Sequence, residues 1–177
     1  GLVGSEMCIR DRGGERNKCL CLEFLNNSEA LCLFGTTDMS SFDDALEFRF
    51  KADTTWADAH EDDKAAVTRL WNWIDSCKDD PAKFLAEYNQ YFGNDSPFAW
   101  YLITDYFMAV DNRAKNMMLA TWDSLIWYFL PYDMDTLFGV RNDSVLKYEY
   151  TITHESFDDS IGSYAFAGHD SVLWELV

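Results

Sequence analysis

Apolar positions alternate with polar ones at the start of the chain and then change to helical spacing. Cys19-Leu20-Cys21-Leu22-Glu23-Phe24-Leu25 and Ala30-Leu31-Cys32-Leu33-Phe34 flank Asn26-Asn27-Ser28, which predicts a hairpin. Leu46-Glu47-Phe48-Arg49-Phe50 predicts a short strand with Glu47 and Arg49 on one face. After an acidic, loop-like stretch over 52–63, Val67, Leu70, Trp71, Ile74 and Cys77 follow the i, i+3, i+4, i+7 rule, predicting a helix from Lys64 to near Lys78. Asp80-Pro81 caps and opens a second helix with Phe84, Leu85 and Tyr88 inward. Asp95-Ser96-Pro97 repeats the device for a third, lined by Trp100, Ile103, Thr104, Phe107 and Met108 and ending before Asp111. Residues 117–121 and 126–130 predict a hairpin turned by Trp122-Asp123-Ser124, with Pro131 ending its second strand. Further on, 145–152 alternates as a strand, 162–168 is an aromatic loop, and 171–177 starts a helix after Asp170. The succession predicts an α+β fold, a mainly helical lobe with a small sheet before it.

Composition narrows the partners. The chain of 177 residues is 48% hydrophobic and 16% aromatic, so it can bury a core and its net charge of −17 belongs to a folded surface. That charge argues against a nucleic-acid partner, whose phosphates need clustered Lys and Arg. A nucleotide held through a divalent ion is still permitted, because the metal offsets the phosphate charge. No apolar run approaches the roughly 20 residues of a membrane span, so a soluble protein without a membrane partner is expected. The five cysteines are odd in number and lack C-x-x-C spacing, which supports neither zinc nor a disulfide framework. His60, His154 and His169 are scattered and receive no role.

The segment from Asp111 to Gly139 carries the chemistry. Asp111-Asn112-Arg113-Ala114-Lys115-Asn116 precedes the second hairpin, and Asp133-Met134-Asp135-Thr136-Leu137-Phe138-Gly139 follows it. Two strands of about five residues at roughly 3.3 Å each run out and back, which returns Asp133 and Asp135 towards Asp111 and Asn116. Phosphoryl transfer needs such a set: a carboxylate near the attacking hydroxyl, an amide oxygen on one metal ion and a carboxylate on the ion that grips the phosphates. Gathered carboxylates repel one another, and a divalent cation that prefers oxygen ligands relieves this. Of Asp133 and Asp135, one is expected to face the site and the other to organise the turn after Pro131. Lys115 and Arg113 are the nearby cations; either holds a transferring phosphate or balances local charge. Taken singly, Asp111-Asn112 also suits an Asx turn closing the helix, and Asp133 a turn residue after Pro131.

The segment Val110-Asp111-Asn112-Arg113-Ala114-Lys115-Asn116, followed by Trp127-Tyr128-Phe129-Leu130-Pro131-Tyr132-Asp133-Met134-Asp135-Thr136-Leu137-Phe138-Gly139, resembles the CotH-type, spore-coat protein kinase family. The resemblance implies an atypical protein-kinase-like fold and transfer of phosphate from ATP with Mg2+ to a Ser or Thr hydroxyl of a protein. It implies that Asp111 is the catalytic aspartate near the acceptor hydroxyl and that Asn116 with Asp133 or Asp135 binds magnesium; as the nearby cations, Lys115 is assigned to the catalytic group and Arg113 to the nucleotide. Ala109-Val110 stands before Asp111 where protein kinases carry a His-Arg pair, and no glycine-rich phosphate loop, nucleotide-holding Lys or partner Glu is identifiable. Residues 1–12 resemble a translated sequencing adapter and are set aside as an artefactual extension. On this reading 13–50 is a small β region, the remnant of an N-terminal lobe or hinge, and 51–177 is a CotH-like catalytic lobe incomplete at its C-terminal end. The chain is therefore expected to be a fragment truncated at both ends and inactive alone, from a bacterial cytoplasm, a spore surface or a virion.

Two rival readings use the same residues. One is a non-catalytic phage structural protein with virion partners, whose aspartates serve turns or a structural metal on a retained kinase-like scaffold. The other is a haloacid-dehalogenase-like phosphatase; its D-x-D-x-T motif is only approximated by Asp133-Met134-Asp135-Thr136, where Thr136 falls one place early. This phosphatase reading ranks third.

Overall fold

The computed structural model describes residues 19–24, 46–49, 54–107, 109, 112, 117–139 and 172–177. Five strands, β1 Leu20–Phe24, β2 Leu46–Arg49, β3 Thr54–Thr55, β4 Met117–Thr121 and β5 Trp127–Pro131, form one antiparallel sheet in the order β3-β2-β1-β4-β5. Helices α1 Glu61–Cys77, α2 Pro81–Glu87, α3 Ser96–Tyr106 and α4 Val172–Leu176 complete an α+β arrangement. The sheet is not confined to the chain before the helices. β4, which follows them, pairs along the whole of β1, with Leu22 opposite Leu119 and Phe24 opposite Met117.

β1 is central, and all five of its residues are buried, as expected for a strand covered on both faces. Its two edges are taken by β2 and β4, so the hairpin expected between 19–25 and 30–34 is not the pairing that β1 makes. Residues 30–34 lie outside the described residues. Leu20, Leu22 and Phe24 join Leu46, Phe48, Met117, Leu119 and Trp127 in the core. On the opposite face Glu23 is buried and paired with Arg49, which also reaches Glu47 at 3.4 Å. A buried carboxylate needs such a partner.

α1 begins at Glu61, three residues before the predicted start at Lys64, because His60 caps it: its Nδ1 accepts from Asp62 N at 3.2 Å. Glu61, Asp62 and Asp63 in the first turn suit the positive end of the helix dipole. Val67, Leu70, Trp71, Ile74 and Cys77 are buried as the spacing predicts, and Trp71 stacks on Phe24 of β1 at 5.9 Å. Trp73 stacks on Tyr91 at 4.1 Å and Phe84 at 5.3 Å, which holds α2 against α1. The stretch 52–63 is likewise more ordered than expected, since it includes β3 as well as the helix start.

In α2, Asp80 caps Lys83 N at 3.0 Å and Phe84 is buried, but Leu85 is 59% exposed and not inward. A helix of two turns presents only a narrow stripe, and Phe84 with Tyr88 occupies it. In α3, Trp100 and Thr104 are buried whereas Ile103 is 45% exposed, together with Leu102 and Tyr106 on the outward face. Asp95 precedes α3 in the left-handed region, φ 53°, and makes no side-chain cap; its carboxylate instead accepts from the Tyr88 hydroxyl at 2.5 Å. Ser96 Oγ accepts from Phe129 N at 2.9 Å and ties the start of α3 to β5.

The outer edge of β5 is covered rather than left as a pairing template. Trp127 N donates to Tyr91 O at 2.7 Å and Gly93 N to Trp127 O at 3.0 Å. A Cβ on Gly93 would lie 2.3 Å from the end of the Tyr128 ring, so any larger residue there would have to displace that ring. α4 buries Leu173, Trp174 and Leu176, with Trp174 against Phe129 at 5.4 Å. The strand predicted at 145–152, the loop at 162–168 and Met108 lie outside the described residues. Among the described residues no helix is long and apolar enough to cross a membrane.

Candidate active site

β4 and β5 form the predicted hairpin, with Thr121 opposite Trp127 at one end and Met117 opposite Pro131 at the other. β5 starts one residue later than the alternation suggests, because the turn claims Ile126. Asp123 Oδ1 accepts from Leu125 N at 2.8 Å, Ile126 N at 2.9 Å and Thr121 Oγ1 at 3.1 Å. Burial pushes the Asp123 carboxyl up, but the bonds from Ile126 N, Leu125 N and Thr121 outweigh it and leave the acid below the usual carboxylate range. Arg69 of α1 clamps the same turn, donating to Leu125 O at 2.8 Å and Gln90 O at 3.2 Å while it lies 4.2 Å over the Tyr91 ring.

At the other end of the hairpin Asn112 meets the segment that follows β5. After α3 the chain turns, with Ala109 N donating to Thr104 O at 2.8 Å. Asn112 is fully buried there; its backbone carbonyl accepts from Trp100 Nε1 at 2.8 Å. Its side-chain Nδ2 reaches across to the segment after β5, donating to Tyr132 O at 3.0 Å and Asp133 O at 3.4 Å. Asp133 takes a left-handed backbone, φ 47°, and its side chain is exposed. A 3-10 segment, Met134–Gly139, follows. Phe138 is again left-handed at φ 61°, its N donates to Phe107 O at 2.6 Å, and the two rings meet edge to face at 5.5 Å. Asn94, Asp95 and Ser124 are left-handed as well, so positive φ marks the turns of this chain generally, and at Asp133 and Phe138 the surrounding bonds hold it in place.

Of the predicted site residues, Asp133 is described in full, and Asp135 lies in the 3-10 segment with its side chain outside the described residues. Asp111, Arg113, Lys115 and Asn116 lie outside the described residues. Asn112, next to Asp111, was singled out only as part of the Val110-Asp111-Asn112 motif and as one half of a local Asx turn. Its side chain instead bonds twenty residues ahead. The available signal was chemical: a carboxamide carries two N–H donors and can grip two carbonyls of a passing strand.

The donor set of Asn116, Asp133 and Asp135 is all oxygen, which fits a hard divalent cation such as Mg2+. Among the described residues no group of three or more His, Cys, Asp or Glu is placed to hold a metal ion. Asp133 contributes an exposed carboxylate at the end of an anchored hairpin. Exposed apolar side chains surround this turn: Tyr132, Phe138 and, beyond Phe107, Tyr106 at the end of α3.

A family model described as CotH kinase protein matches residues 16–169, and the chain belongs to the CotH kinase family. No curated protein and no solved structure matches the chain.

Proposed function

We propose that the protein transfers phosphate from ATP to a Ser or Thr hydroxyl of a protein acceptor. The observation that carries this reading is the Asn112 bond to Tyr132 O and Asp133 O, which joins the two ends of the Asp111 to Gly139 segment at the base of one hairpin. In the proposed reaction the acceptor oxygen attacks the γ-phosphorus, its proton passes to the Asp111 carboxylate, and the bond from the γ-phosphorus to the bridging oxygen breaks to release ADP. Lys115 holds the transferring group and Arg113 the remaining phosphates. Asn116 with Asp133 or Asp135 would hold Mg2+, which when bound neutralises charge on the phosphate oxygens. The exposed apolar side chains of Tyr106, Tyr132 and Phe138 beside the turn suit a polypeptide acceptor. The net charge of −17 disfavours a nucleic-acid acceptor.

The test is phosphate incorporation into protein Ser or Thr from ATP and magnesium by full-length protein. Asp111→Asn should lower the rate by about a hundredfold or more, the usual contribution of a positioned base. Unchanged transfer in Asp111→Asn rejects the assignment of Asp111. No transfer by the wild-type protein rejects the reaction.

A further inference from the structure

We infer that Asn112 is a positioning residue: its side chain sets the turn that carries Asp133, and so couples the acceptor side of the site to the metal side. This rests on the phosphotransfer reading for its kinetic consequence, but the clasp itself is geometric. Backbone and side chain of Asn112 are held separately. The backbone is fixed from α3 by Trp100 Nε1 at 2.8 Å, while the side chain alone spans to Tyr132 O at 3.0 Å and Asp133 O at 3.4 Å.

A planar carboxamide with two N–H groups serves two successive carbonyls in a way that a hydroxyl or a carboxylate does not. The bonds matter because Asp133 is left-handed, a conformation that a non-glycine residue leaves readily unless its neighbours over-determine it. Pro131 opposes Met117 at the last described pair of the hairpin, and the Asn112 amide holds the two residues that follow it, Tyr132 and Asp133. The Phe138 N bond to Phe107 O at 2.6 Å closes the far end of the same turn, so the segment 132–139 is pinned at each end to the α3 side of the molecule.

The separate hold on backbone and side chain also divides the role from folding. A change confined to the side chain leaves the Trp100 bond to the backbone in place. Asn112→Asp keeps the size but turns carboxylate oxygens towards two carbonyl oxygens; Asn112→Leu keeps the volume and removes the donors without adding charge.

The experiment compares both variants with wild-type full-length protein by hydrogen exchange with peptide-level readout and by phosphotransfer kinetics. In a folded variant, exchange across 132–139 should speed up at least tenfold while 122–126 and α1 stay as in wild type. The turnover number should fall ten- to a hundredfold with KM for the acceptor protein unchanged. Wild-type exchange across 132–139 in a folded variant, or a change in KM alone, overturns the inference. Loss of the cooperative fold in both variants assigns Asn112 to the core and overturns it as well. Should the wild-type protein transfer no phosphate, the reaction reading falls and the exchange result decides the clasp by itself.

Discussion

The two ends of the β4–β5 hairpin are built on different plans. At the tip, one carboxylate, Asp123, takes three local hydrogen bonds, and Arg69 adds a fourth to Leu125 O while it also bonds Gln90 O and lies over the Tyr91 ring. At the base, the chain leaves the ladder through a left-handed Asp133 that is held by an amide twenty residues earlier in sequence. The tip satisfies itself largely through local bonds to Asp123, although it too contains a left-handed residue, Ser124 at φ 65°, and takes one tertiary bond from Arg69 to Leu125 O. The base presents an exposed carboxylate and is held by distant residues, through Asn112 to Tyr132 O and Asp133 O and through Phe138 N to Phe107 O. Local bonds thus dominate at one end of the hairpin and tertiary bonds at the other.

The contrast breaks first at the two aspartates of the base. Of Asp133→Asn and Asp135→Asn, the one that removes the metal carboxylate should lower phosphate transfer by at least about a hundredfold. Since the Asp133 side chain is exposed, the melting free energy of Asp133→Asn should stay within about 0.5 kcal/mol of wild type. Equal loss of stability and activity would make Asp133 a turn residue and erase the distinction between the two ends. Trp100→Phe tests the anchor beneath the base: it removes a buried N–H bond to the Asn112 carbonyl and should cost about 1–3 kcal/mol in denaturant unfolding. Its transfer rate should fall as well.

The tip should behave in the opposite way. Asp123→Ala should cost about 1–2 kcal/mol in stability and leave transfer unchanged in the folded protein. The sign of its pH dependence follows from the lowered carboxyl. A group depressed in the folded state stabilises above its unfolded value, about pH 4, and that contribution is lost as pH falls through the folded value. Thermal melts from neutral pH down to strong acid should show a steeper acid decline in wild type than in Asp123→Ala. The smallest effect belongs to Arg69→Ala, about 0.5–1.5 kcal/mol, because its bonds to Leu125 O and Gln90 O are exposed and water replaces them in part.

Much of this fold is legible from spacing. The buried stripe Val67, Leu70, Trp71, Ile74 and Cys77 and the paired strands at 117–121 and 127–131 follow from periodicity, because each must cover one apolar face. The errors have physical causes of their own. Leu85 and Ile103 were placed inward on short helices whose neighbours cover only a narrow stripe. The 19–25 hairpin was inferred from a local turn signal, while β1 found both partners elsewhere in the chain.

The site divides along similar lines. The order of Asp111, the hairpin and Asp133 is visible in the sequence, and with the neighbouring residues it supported the family that the 16–169 match shows. Asn112 as the link was not visible, since a bond across twenty residues leaves no periodic trace. Its role follows only from the turn geometry at Tyr132 and Asp133.

The most direct measurement of the central claim is hydrogen exchange across the hairpin in full-length protein, with and without magnesium and a non-hydrolysable ATP analogue. The account predicts slower exchange over 132–139 on addition of both, with 122–126 unchanged. Protection at the tip alone, or none at the base, would contradict it.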